Sequence, residues 1–102
     1  MHPLIQQKAE AVAKSCRQHH VQRLEVFGSA ARGIDFDAER SDVDLLVTFQ
    51  PSAESTLKAF FDLRDELSRI LGHPVDLAEA SALRNPYLLA DANQSREVLY
   101  AA

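Results

Sequence analysis

A chain of 102 residues and 11.3 kDa holds one hydrophobic core and has no room for a second. Eleven Lys and Arg against fifteen Asp and Glu leave a formal charge of −4, the wrong sign for a protein whose main work is gripping nucleic-acid backbone. With 46% hydrophobic and 25% charged residues and no apolar run near the roughly 20 residues of a membrane helix, a single cytoplasmic globular domain over residues 1–102 is expected. The opening Met-His-Pro-Leu-Ile-Gln-Gln-Lys lacks the basic-then-apolar plan of a secretory signal. Cys16 is the only cysteine, which leaves no internal disulfide and no cysteine-rich zinc site.

Residues 3 to about 19 read as one helix. Pro3 suits a first helical position, and Ile5, Ala9, Val12, Ala13 and Cys16 recur at helical spacing. Gln22 to Phe27 alternates as a strand, with Leu24 and Val26 on one face. Gly28-Ser29-Ala30-Ala31-Arg32-Gly33 then suggests a sharp strand exit into a very short helix, and Ile34 to Ser41 a polar exposed loop. Asp42 to Phe49 is the next strand. Val43, Leu45, Val47 and Phe49 share one face, while Asp42, Asp44, Leu46 and Thr48 share the other. Its near-continuous apolar run predicts a central strand covered on both sides.

Pro51 ends that strand, and Leu57, Phe60, Phe61, Leu67, Ile70 and Leu71 mark an amphipathic helix over about 55–71, stopped by Gly72. His73 to Ala78 is a short third strand. Asn85-Pro86 supplies an N-cap and first position for a helix carrying Leu88, Leu89 and Ala92. Residues 96–100 either continue that helix or form another strand. The fold class is therefore α/β in the α+β sense, a small mixed or antiparallel sheet flanked by helices, because the 42–49 strand follows the first without a full crossover helix.

The chemistry gathers where these strands begin and end. Asp42 and Asp44, at i and i+2 of one strand, share a face with Cα atoms about 6.6 Å apart. Bare carboxylates so close repel, and either shift a pKa or recruit a cation. Octahedral Mg²⁺ takes such oxygen ligands together with substrate phosphates. Asp76 in the third strand offers a further carboxylate, for a second ion or for a hydroxyl's proton. Gly28 permits close backbone approach to a phosphate, the Ser29 hydroxyl can donate to it, and Arg32 one turn on can neutralise it. The reaction class suggested is metal-assisted attack of a hydroxyl on a nucleotide phosphate.

Gly28-Ser29-Ala30-Ala31-Arg32-Gly33, Ser41-Asp42-Val43-Asp44-Leu45-Leu46-Val47 and Val75-Asp76-Leu77 resemble the minimal nucleotidyltransferases of the DNA polymerase β-like superfamily. The nearest likeness is to the antitoxin half of bacterial toxin–antitoxin pairs whose toxin is a helical HEPN ribonuclease. The resemblance spans essentially the whole chain, and its one departure is the longer, more acidic loop Ile34–Ser41. It implies a polymerase β-like nucleotidyltransferase fold. Asp42, Asp44 and Asp76 would be catalytic carboxylates holding Mg²⁺, as a pair of ions, and Gly28, Ser29 and Arg32 would bind the nucleotide. It further implies ATP as substrate, AMP transfer to a hydroxyl such as a tyrosine, and a hetero-oligomer with the cognate HEPN toxin, without membrane or direct nucleic-acid binding. Two alternatives stand beside it: an antitoxin with a vestigial site that acts by binding alone, and a nucleotidyltransferase with another acceptor. An enclosed small acceptor is disfavoured by size, since so short a sheet has little left to surround one.

Other candidates read as structural. Asp35-Phe36-Asp37 repeats the Asp-x-Asp spacing without a following strand, and Arg40 stands where a calcium loop needs glycine. His19, His20 and His73 lack the i, i+4 spacing of a helical zinc pair and suit surface or capping roles, while Cys16 suits the core. Three of the fifteen acids are the candidate ligands Asp42, Asp44 and Asp76, and the other twelve nearly balance the eleven bases. Most of the negative charge is thus one site.

Overall fold

The computed structural model describes residues 3–27, 43–51, 57–80 and 97–102. In chain order these form α1 (Pro3–Gln7), α2 (Ala9–Gln18), β1 (Val21–Phe27), β2 (Val43–Phe49), α3 (Leu57–Leu71), β3 (Val75–Glu79) and β4 (Glu97–Ala101). The expected turn and short helix after Phe27, the loop 34–41 and the helix from Pro86 lie outside the described residues.

The strands make one sheet of order β3-β2-β1-β4. β1 runs antiparallel to both β2 and β4, and β2 runs parallel to β3, so the sheet is mixed, as the short connection after the first strand predicts. The parallel pair β2–β3 is joined through α3, the crossover that parallel strands require. β2 lies inside the sheet. Its buried residues include Leu46 on one face as well as Val43, Leu45 and Val47 on the other, which matches its two-sided apolar run.

The three helices among the described residues pack on the face carrying Leu24 and Val26 of β1, Val43, Leu45 and Val47 of β2, and Val75 and Leu77 of β3. From the helices come Ile5, Val12, Cys16, Leu63, Leu67 and Leu71. Each large apolar side chain so removed from water contributes about 1.5–3 kcal/mol, and this layer is the main core. Leu63, Leu67 and Leu71 repeat every four residues, so one stripe of α3 meets the sheet. Gly72 ends the helix at φ +70, with its amide donating to the Ser68 carbonyl at 2.9 Å, a left-handed stop that glycine adopts freely.

One detail differs from the sequence reading. The first helix is broken: Lys8 (φ −100, ψ 3) separates α1 from α2, its amide donating to the Ile5 carbonyl at 3.1 Å while its carbonyl accepts from Val12 at 2.9 Å. No capping side chain marks that break. Residues 97–101 are a strand, paired with β1, which resolves the 96–100 ambiguity. His19 does cap: it closes α2, and its ring Nδ1 lies 2.9 Å from the Ser15 carbonyl oxygen and 3.3 Å from the Glu66 carboxylate of α3. Cys16 is fully buried, and that burial pushes its thiol from an ordinary value of 9.0 up to about 12.

Candidate active site

The sheet face turned away from the helices carries the candidate chemistry. Strand alternation puts Arg23, Glu25 and Phe27 of β1 there, because Leu24 and Val26 enter the core. The antiparallel register sets Phe27 opposite Asp44, Glu25 opposite Leu46 and Arg23 opposite Thr48. On the other side of β2 the parallel register sets Asp44 beside Asp76 and Leu46 beside Ala78. Two carboxylates from different segments of the chain therefore stand side by side on adjacent strands, about 4.8 Å apart in the hydrogen-bonding direction.

Local sequence fixes both positions. Asp76 sits between Val75 and Leu77, which are 9% and 7% exposed, so its own side chain is directed to the opposite face and is exposed. Asp44, between fully buried Val43 and Leu45, is half-buried. Phe27, the last residue of β1, pairs with Asp44 and is followed in the chain by Gly28-Ser29. The proposed phosphate loop thus departs from the strand end nearest the carboxylates. Gly28, Ser29, Arg32 and Asp42 themselves lie outside the described residues. Among the described residues no group of three or more carboxylate, histidine or cysteine side chains gathers to hold a metal, so Asp44 and Asp76 form a pair. Their hard oxygen donors fit Mg²⁺, which commonly takes one or two carboxylates and completes its shell with water and substrate phosphates.

A third acid on this face was not singled out from the sequence. Glu25 is 5% exposed, and its Oε1 lies 3.4 Å from Nε of Arg23. Its signal was available: once Leu24 and Val26 face the core, Glu25 must share the face of Asp44. A cleft of about 430 Å³ opens beside it, lined by Gln22, Arg23, Glu25, Thr48, Ala101 and Ala102. Phe60, expected in the core or at a partner contact, packs partly buried on the core. Phe61 is 41% exposed beneath the Arg64 guanidinium, 4.6 Å from its ring centroid.

A mixed sheet with the described helices on one face and aspartates facing each other on adjacent strands of the other gives an arrangement suited to phosphate chemistry. Comparison with known proteins makes this specific. Residues 9–99 match the family model described as Nucleotidyltransferase domain, and the chain belongs to that family of enzymes. A curated protein of Methanocaldococcus jannaschii, whose name proposes it as a protein adenylyltransferase, is 42% identical over 71 residues, 70% of this chain and 68% of that protein. A solved structure described as a proposed minimal nucleotidyltransferase superposes with a TM-score of 0.74 at 34% identity, covering 95% of each chain. The fold is also that of a chain in the complex of a tri-AMPylated Shewanella oneidensis HEPN toxin with its MNT antitoxin. There the TM-score is 0.67 at 19% identity over 96% of this chain and 73% of that one.

Proposed function

We propose that residues 1–102 are a single minimal nucleotidyltransferase domain that moves AMP from Mg·ATP to a hydroxyl of a partner protein. The observation that carries this reading is the register of Asp44 with Asp76, beside the strand end from which Gly28-Ser29 follows. Asp42, Asp44 and Asp76 would hold the Mg²⁺, as one ion or a pair, and Gly28, Ser29 and Arg32 the triphosphate. When bound, Mg²⁺ supplies neutralisation of phosphate charge and of the departing pyrophosphate. The acceptor oxygen bonds to the α-phosphorus, the bond to the bridging oxygen of pyrophosphate breaks, and the hydroxyl proton passes to a free oxygen of Asp76, the exposed member of the pair.

A protein acceptor is supported by the name of the 42%-identical relative, and an AMPylated HEPN toxin by the complex that shares the fold. We read the partner of this chain as such a helical toxin, modified on a tyrosine and thereby silenced. The test is to incubate the chain with Mg²⁺, ATP and the product of the neighbouring open reading frame, then weigh that product intact. AMP-sized increments that vanish with Asp44→Ala and Asp76→Ala support the reading. Full protection of cells by those same variants would instead show neutralisation by binding alone.

A further inference from the structure

β3 is an edge strand of the described sheet, paired on one side to β2. Two of its five residues, Val75 and Leu77, enter the core, and Asp76 stands between them. Its register against β2 decides where Asp76 is found. A slip of one residue would turn Asp76 into the core, and a slip of two would carry it about 6.6 Å along β2, away from Asp44. The two core side chains oppose the second error only weakly, because a two-residue slip keeps both on the buried face.

The link from α3 to β3 supplies the missing restraint. It is three residues long, Gly72, His73 and Pro74, and Ser68 in the last turn of α3 grips it twice. The Ser68 carbonyl accepts from the Gly72 amide at 2.9 Å, and the Ser68 hydroxyl donates to the His73 carbonyl at 2.7 Å. The usual backbone partner of a helical serine hydroxyl is the carbonyl four residues before it, whereas this one reaches five residues forward. Pro74 fixes its own φ and turns His73 away from helical conformation. The Pro74 carbonyl then accepts from the Val43 amide at 2.9 Å, at the point where Val43 and Val75 begin the parallel register. One residue past each member of that pair come Asp44 and Asp76. A continuous run of hydrogen bonds and short backbone thus leads from the Ser68 hydroxyl to the carboxylate pair.

We infer that Ser68 is a positioning residue, whose hydroxyl fixes where β3 starts against β2 and so sets Asp76 beside Asp44. This inference rests on the nucleotidyl-transfer reading above, in which Asp76 takes the acceptor proton. Misplacing a reacting group by about 1 Å can cost about 10²-fold in rate, so a small drift of β3 is enough to matter. The experiment compares the unaltered chain with Ser68→Ala, with Ser68→Thr, which keeps the hydroxyl, and with Ile5→Val, a small trimming of the core in α1. The readouts are transfer of labelled AMP to the product of the neighbouring open reading frame and hydrogen exchange at the Val43 amide by NMR. Ser68→Ala is expected to lower kcat about tenfold while KM for that product stays within about twofold. It should also speed exchange at Val43 about tenfold relative to the amides between β1 and β2. Ser68→Thr should return both readouts to within about twofold of the unaltered chain, and Ile5→Val should move neither by more. Equal falls in kcat for Ser68→Ala and Ile5→Val, or unchanged exchange at Val43 in Ser68→Ala, would overturn the inference. Faster exchange at Val43 with unchanged kcat would overturn it while leaving the adenylyltransferase reading intact. No transfer by the unaltered chain would refute both.

Discussion

Asp44 and Asp76 are neighbours in register on adjacent strands, and without a cation that arrangement carries a cost. Two unit charges about 5 Å apart repel by about 0.8 kcal/mol at the dielectric constant of water, which suits the exposed Asp76 and is a lower bound beside the half-buried Asp44. Like charges directly opposite in a sheet destabilise by a similar amount, about 0.2–1 kcal/mol. Asp76→Asn removes one charge at nearly constant shape. In EDTA and low salt it is expected to raise stability by about 0.5–1 kcal/mol, or about 4 °C in Tm for a domain of this size. The gain shrinks toward zero in 1 M NaCl, where the Debye length of about 3 Å falls below the separation. Millimolar Mg²⁺ should reverse the order, because it stabilises the native form that binds it and the variant binds it less. Thermal melts under these three conditions make the test. An Asp76→Asn protein no more stable than the parent in EDTA, or a parent whose Tm ignores Mg²⁺, would refute the reasoning that this pair is built for a cation.

Four further outcomes concern the frame that positions the pair. Cys16, buried with its thiol raised to about 12, should resist iodoacetamide at pH 8 in the native protein and react after unfolding in urea. The same shift means that the unfolded chain loses this proton first. Stability attributable to the thiol is full below pH 9 and declines as pH rises toward 12, so urea midpoints of the parent should fall more steeply than those of Cys16→Ala across the lower part of that window. Gly72→Ala meets no steric neighbour but imposes φ +70 on a residue with a Cβ, and should cost about 1 kcal/mol in chemical denaturation. Leu67→Ala, emptying a fully buried site where α3 meets the sheet, should cost about 2–5 kcal/mol by the same measurement.

What the chain discloses before folding follows from how local each signal is. β2 was legible because alternation and length are local properties: Val43, Leu45 and Val47 announce a buried face, and Leu46 announces that the reverse is covered too. Asp76 was legible as pointing away from the core for the same reason. That Asp44 and Asp76 pair with each other is not local, since it depends on α3 returning the chain in parallel and in one of several registers. β4 was ambiguous because Glu97-Val98-Leu99-Tyr100 satisfies both a helical and an extended pattern. Its pairing with Leu24 to Val26 decides the matter. The break at Lys8 left no mark, since Gln7-Lys8-Ala9 are all good helix formers. Glu25 could have been found and was not, because an acid inside a strand draws notice only once its neighbours are known to be buried.

The central claim is that Asp44 and Asp76 serve one transfer of AMP. Parallel reactions with ATP labelled at the α- or the γ-phosphate, in the presence of Mg²⁺ and the helical partner, test it most directly. The account predicts that the α label becomes covalently attached to the partner while the γ label leaves in pyrophosphate, and that Asp44→Ala and Asp76→Ala each abolish attachment without loss of folding. Attachment of the γ label, or undiminished α labelling by either variant, would contradict it.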